Sequence, residues 1–285
     1  MRNETIERIK YAELIKLALT VPAVADNCYK LFHDYSLLNT LYIIRQLQMK
    51  NLPVEPVKGY KAWKQLNRAV KPELLTGKTR YGFPKAIEIL FPVFGHYNPK
   101  NADGTYKTDA NGNKIYIEYV RDFNYSKWHF SVSQTDIIDK TKAETLDGKN
   151  RYNVNVEKLC SDLDIEIRPY DKIEGNPQGY TTKTERFIAL NPVAKNPVKT
   201  AIHEIAHCLL HDIKCDYCFN RPIIEAEAEM VAYLVCKTIC SDEDLSTCHA
   251  YIQNWLGDNE FTDEMGQRVM NTASKILNLI KGNEQ

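Results

Sequence analysis

The sequence of 285 residues predicts an α+β protein of two domains, residues 1–150 and 151–285. Three observations support this prediction. Residues 4–50 repeat apolar side chains near the 3.6-residue period of a helix. Residues 114–120 alternate apolar and polar side chains directly after an Asn-Gly pair, which is typical of a β-hairpin. Residues 186–235 read as a strand followed by two helices, and the first helix carries a histidine motif.

The first stretch is predicted to be helical on both sides of Pro22, which interrupts the pattern. Its apolar positions include Ile6, Ile9, Leu14, Leu17 and Ala18, and then Leu37, Leu38, Leu41, Ile44 and Leu47. Shorter elements are expected around residues 59–64 and a strand at 86–92, with a longer hairpin insertion at about 97–115. These segments complete the predicted first domain.

The second domain contains an apolar run, Arg186–Leu190, that predicts a strand. Asn196 is expected to cap the following helix, and Pro197 suits the first helical turn, where its missing N–H group costs nothing. A core-facing stripe is then predicted from Ala201, Ile202, Ile205, Ala206 and Leu209.

His203, Glu204 and His207 form the pattern H-E-x-x-H on this helix. Four residues are slightly more than one helical turn, so both imidazoles can reach one ion, with a carboxylate beside them. This is the arrangement of a hydrolytic zinc site, in which Glu204 would act as the catalytic base. The alternative is an exposed histidine pair on a surface helix.

A second helix, predicted over Arg221–Val235, offers three glutamates for the third metal ligand. Glu225 and Glu229 share a face, whereas Glu227 is turned about 200° away from Glu225. We expect Glu225 to bind the metal and Glu229 to accept a hydrogen bond from a ligating imidazole. Glu227 is expected to be a solvated surface charge. The alternative is an acidic, solvent-facing helix with its alanines packed.

Tyr233 and His211 are candidate donors to an oxyanion in such a site. Tyr233 lies on a face similar to that of Glu225, but it could equally be a core tyrosine. His211 lies one turn after His207 and could line the cleft or cap the end of the helix, where a cation is favourable.

The spacing E-x-x-x-E-x-V-A after H-E-x-x-H resembles the gluzincin arrangement, as in zincin-like metallopeptidase domains of bacterial mobile elements. This resemblance implies a zincin-like C-terminal domain that binds Zn²⁺ and hydrolyses a protein or peptide, whose identity the sequence does not reveal. Two histidines and one carboxylate also suit other divalent metals.

The formal net charge is zero, but it is unevenly distributed. Residues 1–150 hold 23 basic and 16 acidic side chains, a net charge of +7, and residues 151–285 hold 14 and 21, a net charge of −7. A basic domain favours a polyanionic partner, although ordinary fluctuation in charge is an alternative.

Cations and aromatics interleave in this domain, which is typical of surfaces that hold single strands. The candidates for DNA binding are Tyr60, Trp63, Lys64, Arg68, Lys71 and Arg80, with further cations and aromatics at Lys61, Lys78, Tyr81, Arg121, Tyr125, Lys127 and Trp128.

Several segments resemble the N-terminal, single-stranded-DNA-binding domain of ArdC-type antirestriction proteins. They are Tyr35–Asn39, Gln46, Gly59–Trp63, Val70-Lys71, Ile87–Pro92 and Phe130–Asp136. In that family a zincin-like metallopeptidase domain follows, the order seen here. The resemblance implies a protein of a conjugative plasmid or related mobile element that coats or protects entering single-stranded DNA. Pro72–Gly77 and the insertion at about 97–115 depart from the family pattern and affect the predicted DNA contacts more than the fold.

No apolar run approaches the 18 residues needed to cross a membrane, and no secretory signal is recognised, so a cytoplasmic protein is expected. Eight cysteines are few for a disulfide scaffold of this length, which favours reduced thiols. Cys215 and Cys218 form a C-x-x-C pair that could be half of a structural zinc site, but Cys236 and Cys240 read as core positions.

Two other functions fit the sequence. In one, DNA coating is the whole activity and the zinc is structural, so the chain is not an enzyme. In the other, the peptidase cleaves a repressor or another regulator, and the first domain recognises protein. Salt dependence of oligonucleotide binding distinguishes this last case, because phosphate contacts weaken as ionic strength rises.

Overall fold

The structure is a computed structural model. It describes residues 10–20, 35–141, 152–172, 177–211, 220–239, 245, 248–256 and 261–282. These residues form a mixed α and β fold, as the sequence predicts.

The helices are α1 (Tyr11–Thr20), α2 (Leu37–Met49), α3 (Tyr60–Gln65), α4 (Val156–Asp162), α5 (Pro197–Leu210), α6 (Arg221–Thr238), α7 (Cys248–Leu256) and α8 (Asp263–Gly282). The strands are β1 (Val57–Gly59), β2 (Arg68–Val70), β3 (Ile87–Tyr97), β4 (Ile117–Ser131), β5 (Thr135–Ile137), β6 (Glu166–Arg168), β7 (Gly179–Tyr180) and β8 (Phe187–Leu190). Single 3-10 turns lie at Pro72–Leu74 and Val132–Gln134.

The chain divides into two compact units. Unit 1 comprises Met1–Met49 and Leu146–Gln285, and unit 2 comprises Lys50–Thr145. This division differs from the predicted domains 1–150 and 151–285. The boundary near 150 is close, but the first 49 residues belong with the C-terminal part.

Contacts between α1 and α8 explain why the N-terminal segment belongs to unit 1. Gly266 on α8 lets the two backbones approach, since a Cβ atom there would lie 2.7 Å from the Ala12 nitrogen. Asp263 at the start of α8 accepts a hydrogen bond from the same backbone N–H at 3.1 Å. The amphipathic pattern of residues 4–50 predicted helices correctly for the described part, but it does not specify the partner of their apolar faces.

Unit 1 also contains a three-stranded sheet in the order β6-β8-β7. The central strand β8 is parallel to β6 and antiparallel to β7. The first three residues of β8 are buried, which confirms the strand predicted from the apolar run. Helix α5 packs on this sheet and on α6, so the sheet, α5 and α6 form the layers that frame the site.

Unit 2 is built around a long antiparallel pair, β3 and β4, with β1 on the other side of β4. The register pairs Tyr97 with Ile117, and the predicted Asn111-Gly112 turn lies in the connection between the strands. Gly112 has a φ of 83°, a left-handed conformation that glycine adopts without strain. Asp109 accepts backbone hydrogen bonds from Asn111 and Asn113 at 2.9 Å, which stabilises this turn.

The core of unit 2 gathers Trp63, Phe83, Ile87 and Phe130. The Trp63 indole donates a hydrogen bond of 2.8 Å to the Phe130 carbonyl. Its ring is therefore buried in the core, and its N–H group has a partner inside the protein. Among the described residues, no helix combines the length and apolar character needed to cross a bilayer.

Candidate metal centre

Helix α5 begins at Pro197, as predicted, and Asn196 occupies the N-cap position without a side-chain capping hydrogen bond. Its buried side includes Ala201, Ile202, Ile205 and Ala206. His203 and His207 lie together on the other side of the helix, because the i and i+4 positions share a face. Both side chains line a cavity. The helix therefore fixes the two imidazoles relative to each other through its own geometry.

Helix α6 is capped by Asn220, whose side chain accepts a hydrogen bond from the Ile223 backbone nitrogen. Every residue from Ala226 to Cys236 is buried, because α6 packs against α5, α7 and α8 together. Glu225 lies in the second turn, before this enclosed part, and remains half-buried at the cavity.

The structure brings His203, His207 and Glu225 together, and one potential ligand atom from each lies within 4.8 Å of the others. The two Nε2 atoms are 3.1 Å apart. Glu225 Oε2 lies 3.5 Å from His203 Nε2 and 3.6 Å from His207 Nε2.

These separations fit a divalent cation. Zinc binds imidazole nitrogen and carboxylate oxygen at about 2.0–2.2 Å, and a tetrahedron of that size has edges of about 3.4 Å. The three observed distances lie within about 0.3 Å of this edge length. The donor set therefore has both the chemistry and the spacing of three corners of a tetrahedral site.

Glu229 occupies the orienting position predicted for it. Its Oε2 lies 3.2 Å from His203 Nδ1, and its Oε1 lies 2.7 Å from the Lys199 ammonium group. Since a carboxylate only accepts, His203 donates from Nδ1, and its Nε2 faces the other ligand atoms. Lys199, one turn before His203, was not singled out from the sequence.

Glu227 is not a solvated surface charge, so that expectation was wrong. Its side chain has no exposed area. Arg268 on α8 donates to Glu227 Oε1 at 2.6 and 3.0 Å, and His211 Nε2 lies 3.0 Å from Glu227 Oε2. A helical wheel assumes one buried face, whereas α6 is enclosed on all sides here.

The two candidate oxyanion donors differ in position. The Tyr233 hydroxyl donates to the Ala18 carbonyl at 3.4 Å, and Tyr233 is buried away from the cavity lining. Tyr233 is thus the core tyrosine that the sequence left as an alternative. His211 follows α5 as its C-cap residue and is 2% exposed, with its ring held between His207 and Glu227.

Burial and charge shift the titration of the cluster. Burial would lower the pKa of His203, but hydrogen bonds with Glu225 and Glu229 raise it to about 9. Burial lowers the pKa of His207 to about 4. Burial would raise the pKa of Glu225, but hydrogen bonds with both imidazoles lower it well below the usual range. Burial raises the pKa of Glu204 to about 7. An ionised Glu225 and a neutral His207 are the forms that bind a cation, whereas a cation has to displace the proton that the raised pKa keeps on His203.

A cavity of about 970 Å³ opens in front of these side chains. Its lining includes Glu204, the edge strand β7 and, on the rim, Lys195 and Arg221. Gly179 on β7 lies close to α5, since a Cβ atom there would lie 2.8 Å from Thr200 Cγ2 and 3.2 Å from Glu204 Cγ. The small residue leaves room for the Glu204 side chain beside the histidines.

The residues predicted to contact DNA separate into three groups. Trp63 is 0% exposed, so its ring cannot stack on a base and that prediction was wrong. Arg68 donates to Thr135 and to the Val132 carbonyl, and Lys71 donates to the Ser133 carbonyl, so both hold residues 132–135, which follow β4. The exposed members are Tyr60, Lys64 and Arg80.

The C-x-x-C pair Cys215 and Cys218, and also Cys240, lie outside the described residues. Cys236 is buried on α6 and forms no disulfide, as its helical spacing predicted.

The residues that the sequence reasoning missed are Lys199, Glu227 and Arg268 as partners of the site, and Gly179 as its spacer. The four-residue spacing of His203, His207 and His211 places all three histidines on one side of α5 and its C-cap. This spacing indicates that His211 lies near the site, but it does not indicate which residue His211 contacts. Contacts made by α8 and β7 had no such signal, because they join segments distant in sequence.

No protein-family profile matches the chain. An uncharacterized protein of Bacillus anthracis is 37% identical over 86 residues, which are 29% of this chain and 14% of that protein. The match thus spans a small part of the relative's length. Two crystal structures of the antirestriction ArdC protein from the R388 plasmid, one metal-free and one Mn(II)-bound, are also similar. They cover 96% of this chain and 97% of theirs, with TM-scores of 0.47 and 0.48 and identities of 15% and 14%. The sequence motifs resemble ArdC-type proteins. Because these identities and TM-scores are low, the ligands and activity of ArdC are not transferred to this chain.

Proposed function

We propose that unit 1 is a zinc-dependent peptide hydrolase in which His203, His207 and Glu225 hold the metal and Glu204 is the general base. The observation that carries this proposal is the set of three ligand atoms at tetrahedral spacing, 3.1 to 3.6 Å apart, beside a buried carboxylate in an open cavity.

A bound divalent ion supplies Lewis acidity and lowers the pKa of a coordinated water toward neutrality. The chain's own residues do the rest. Glu204 is within the cavity and takes a proton from the attacking water, then delivers it to the leaving amine nitrogen. Glu229 holds His203 in one orientation, and Lys199 neutralises the charge of Glu229. Two ligands on α5 and one on α6 make the site depend on the packing of these helices.

A peptide is the substrate class that the cavity favours. Strand β7 lines the cavity, and among the described residues it pairs only with β8, so its other edge is available to an extended chain. Main-chain hydrogen bonds to such an edge bind peptides with little demand on their side chains. The volume of about 970 Å³ is in the range of cavities that enclose a ligand.

The test is a Glu204→Gln variant, with Glu185→Gln as a matched control because Glu185 is exposed on the same unit. Each zinc-loaded protein is incubated with a proteome-derived peptide library, and new N-termini are identified by mass spectrometry. Wild type and Glu185→Gln should produce the same new termini, whereas Glu204→Gln should produce none and still bind zinc. Equal cleavage by Glu204→Gln would remove Glu204 from the mechanism, and a silent wild type would favour a structural metal.

We further propose that unit 2 binds single-stranded DNA and that the chain acts as an antirestriction protein of a mobile element. Unit 2 holds 16 basic and 10 acidic residues, a net charge of +6. Arg80 lies 4.4 Å from the ring centroid of Tyr81, and Lys78 lies 5.1 Å from that of Trp128. Tyr81 and both cations are exposed, so this surface offers charge for phosphates and rings for bases.

Fluorescence anisotropy with a labelled unpaired oligonucleotide tests this second proposal. Arg80→Gln and Tyr81→Ala should weaken binding, and affinity should fall as salt rises. Lys140→Gln, which removes an exposed charge elsewhere in unit 2, should have a smaller effect than Arg80→Gln. Affinity that is insensitive to both salt and Arg80 would count against phosphate contacts and favour recognition of a protein by unit 2.

A further inference from the structure

We propose that Glu227 and His211 form a positioning relay that fixes the tautomer and orientation of the metal ligand His207. The proposal rests on the proposed metal site and assigns a role to two buried residues that the peptide-hydrolysis mechanism does not otherwise use. Both residues would act on the metal only through His207.

The relay consists of three consecutive contacts. His207 Nδ1 lies 3.0 Å from His211 Nδ1, and His211 Nε2 lies 3.0 Å from Glu227 Oε2. On the other side of the carboxylate, Arg268 donates two hydrogen bonds to Glu227 Oε1. The side chains of His211 and Glu227 are 1% and 0% exposed, so solvent does not compete for these contacts.

The direction of each hydrogen bond follows from the carboxylate end. Glu227, paired with Arg268, can only accept, so His211 carries its proton on Nε2. When His211 is neutral, this is its one N–H group, and its Nδ1 is an acceptor. His207 must donate from Nδ1, which leaves the lone pair on its Nε2. That atom lies 3.1 Å from His203 Nε2 and 3.6 Å from Glu225 Oε2, where the metal would be bound.

The opposite assignment is incompatible with a metal. If His211 carried protons on both nitrogens, it would donate from Nδ1 to His207. The proton of His207 would then be on Nε2, the atom that faces the other ligands, and no lone pair would be directed at the ion. With a neutral His211, the relay therefore holds His207 in its metal-binding tautomer.

The relay gives each glutamate of the E-A-E-A-E segment one task at the same site. Glu225 is a ligand, and Glu229 orients His203 directly at 3.2 Å. Glu227 points about 200° away from Glu225 on α6 and reaches the second ligand through His211 instead. A purely structural role explains Glu227 less well, because buried ion pairs are often no more stabilising than apolar residues of similar volume.

The first test measures zinc affinity by competition with a chromophoric chelator in the full chain. His211→Leu removes the acceptor for His207 and should weaken zinc binding about 10- to 100-fold, the usual effect of losing an outer partner of a ligand. His211→Gln retains both an acceptor and a donor, and should stay within about threefold of wild type. Leu234→Ala, a cavity variant in the enclosed part of α6, should lower thermal stability without changing zinc affinity.

A second measurement needs no substitution. Long-range ¹H–¹⁵N correlation spectra of the zinc-loaded protein report which imidazole nitrogens carry protons. We expect His211 to be protonated on Nε2 alone and His207 on Nδ1 alone.

Wild-type affinity in His211→Leu, or a proton on His211 Nδ1, would overturn the relay and leave the proposed hydrolase intact. Failure of the wild type to bind zinc would overturn the proposed function and the relay with it. A loss of affinity in Leu234→Ala equal to that in His211→Leu would show that the effect comes from general destabilisation, and would also overturn the relay.

Discussion

Replacing Arg268 by leucine should strongly destabilise unit 1. The substitution leaves the Glu227 carboxylate, which has no exposed area, without the two hydrogen bonds that Arg268 donates at 2.6 and 3.0 Å. Removing one partner of a buried pair costs about 3–5 kcal/mol, because the remaining charge stays in a poorly solvating interior. The Arg268 side chain is itself 33% exposed, so we expect a loss near the lower limit, about 3 kcal/mol.

A comparison with Arg168→Leu isolates the burial of the partner carboxylate. The Arg168 side chain is 34% exposed, nearly the same as that of Arg268, and it also binds carboxylates in unit 1. Its partners Glu166 and Glu185 are 61% and 53% exposed. Solvent screens such exposed pairs, so Arg168→Leu should cost much less stability than Arg268→Leu.

The assay is urea denaturation followed by far-ultraviolet circular dichroism, since most helices in the described residues belong to unit 1. The double variant Arg268→Leu with Glu227→Gln should recover much of the lost free energy of unfolding, because no unpaired charge remains and the amide can still accept from His211. Equal losses in Arg268→Leu and Arg168→Leu, or no recovery in the double variant, would refute this reasoning.

Three further outcomes follow from single side chains. Burial lowers the pKa of His129 to about 4 from 6.5, so the unfolded chain binds the proton first as pH falls. The free energy of unfolding of unit 2 should therefore be highest above pH 6.5 and should fall by about 3 kcal/mol between pH 6.5 and pH 4. His129→Phe should reduce this dependence on pH, as measured in unfolding curves followed by tryptophan fluorescence. Trp63→Ala should destabilise unit 2 by about 3–5 kcal/mol, whereas the exposed Lys64→Ala should change its stability by less than about 0.5 kcal/mol in the same assay. Gly179→Ala should lower peptide hydrolysis with zinc affinity retained, because the added methyl group lies 3.2 Å from Glu204 Cγ and displaces the base.

Each of these outcomes has a result that would contradict it. An unchanged pH slope in His129→Phe would mean that other groups set the acid stability of unit 2. If Trp63→Ala is as stable as wild type but has lost oligonucleotide binding, Trp63 contacts DNA and does not stabilise the core. If Gly179→Ala loses both zinc binding and hydrolysis, the added methyl group disturbs the metal ligands rather than Glu204 alone.

The ligand set was predictable because its geometry is local. The spacing of His203 and His207 is fixed by one helix, and Glu225 follows a proline and a capping residue that mark the start of α6. The strand β8 was equally predictable, since a short apolar run ends at a turn.

Tertiary packing decided what the sequence could not. The pattern of residues 4–50 predicts amphipathic helices, but α1 and α2 pack in unit 1 with α8 because of contacts such as that of Gly266. Glu227 was assigned to the surface because a helical wheel cannot show that three helices surround α6. Trp63 was assigned to DNA because interleaved cations and aromatics do not distinguish a stacking ring from a core ring.

The most direct test of the account is the zinc content of the purified protein after zinc loading and dialysis, measured by elemental analysis. The double variant His203→Ala/His207→Ala is compared with His96→Ala, which removes an exposed histidine of unit 2. Wild type and His96→Ala should bind the same amount of zinc, and the double variant should bind one equivalent less. Equal zinc in all three proteins, or none in the wild type, would contradict the metal centre.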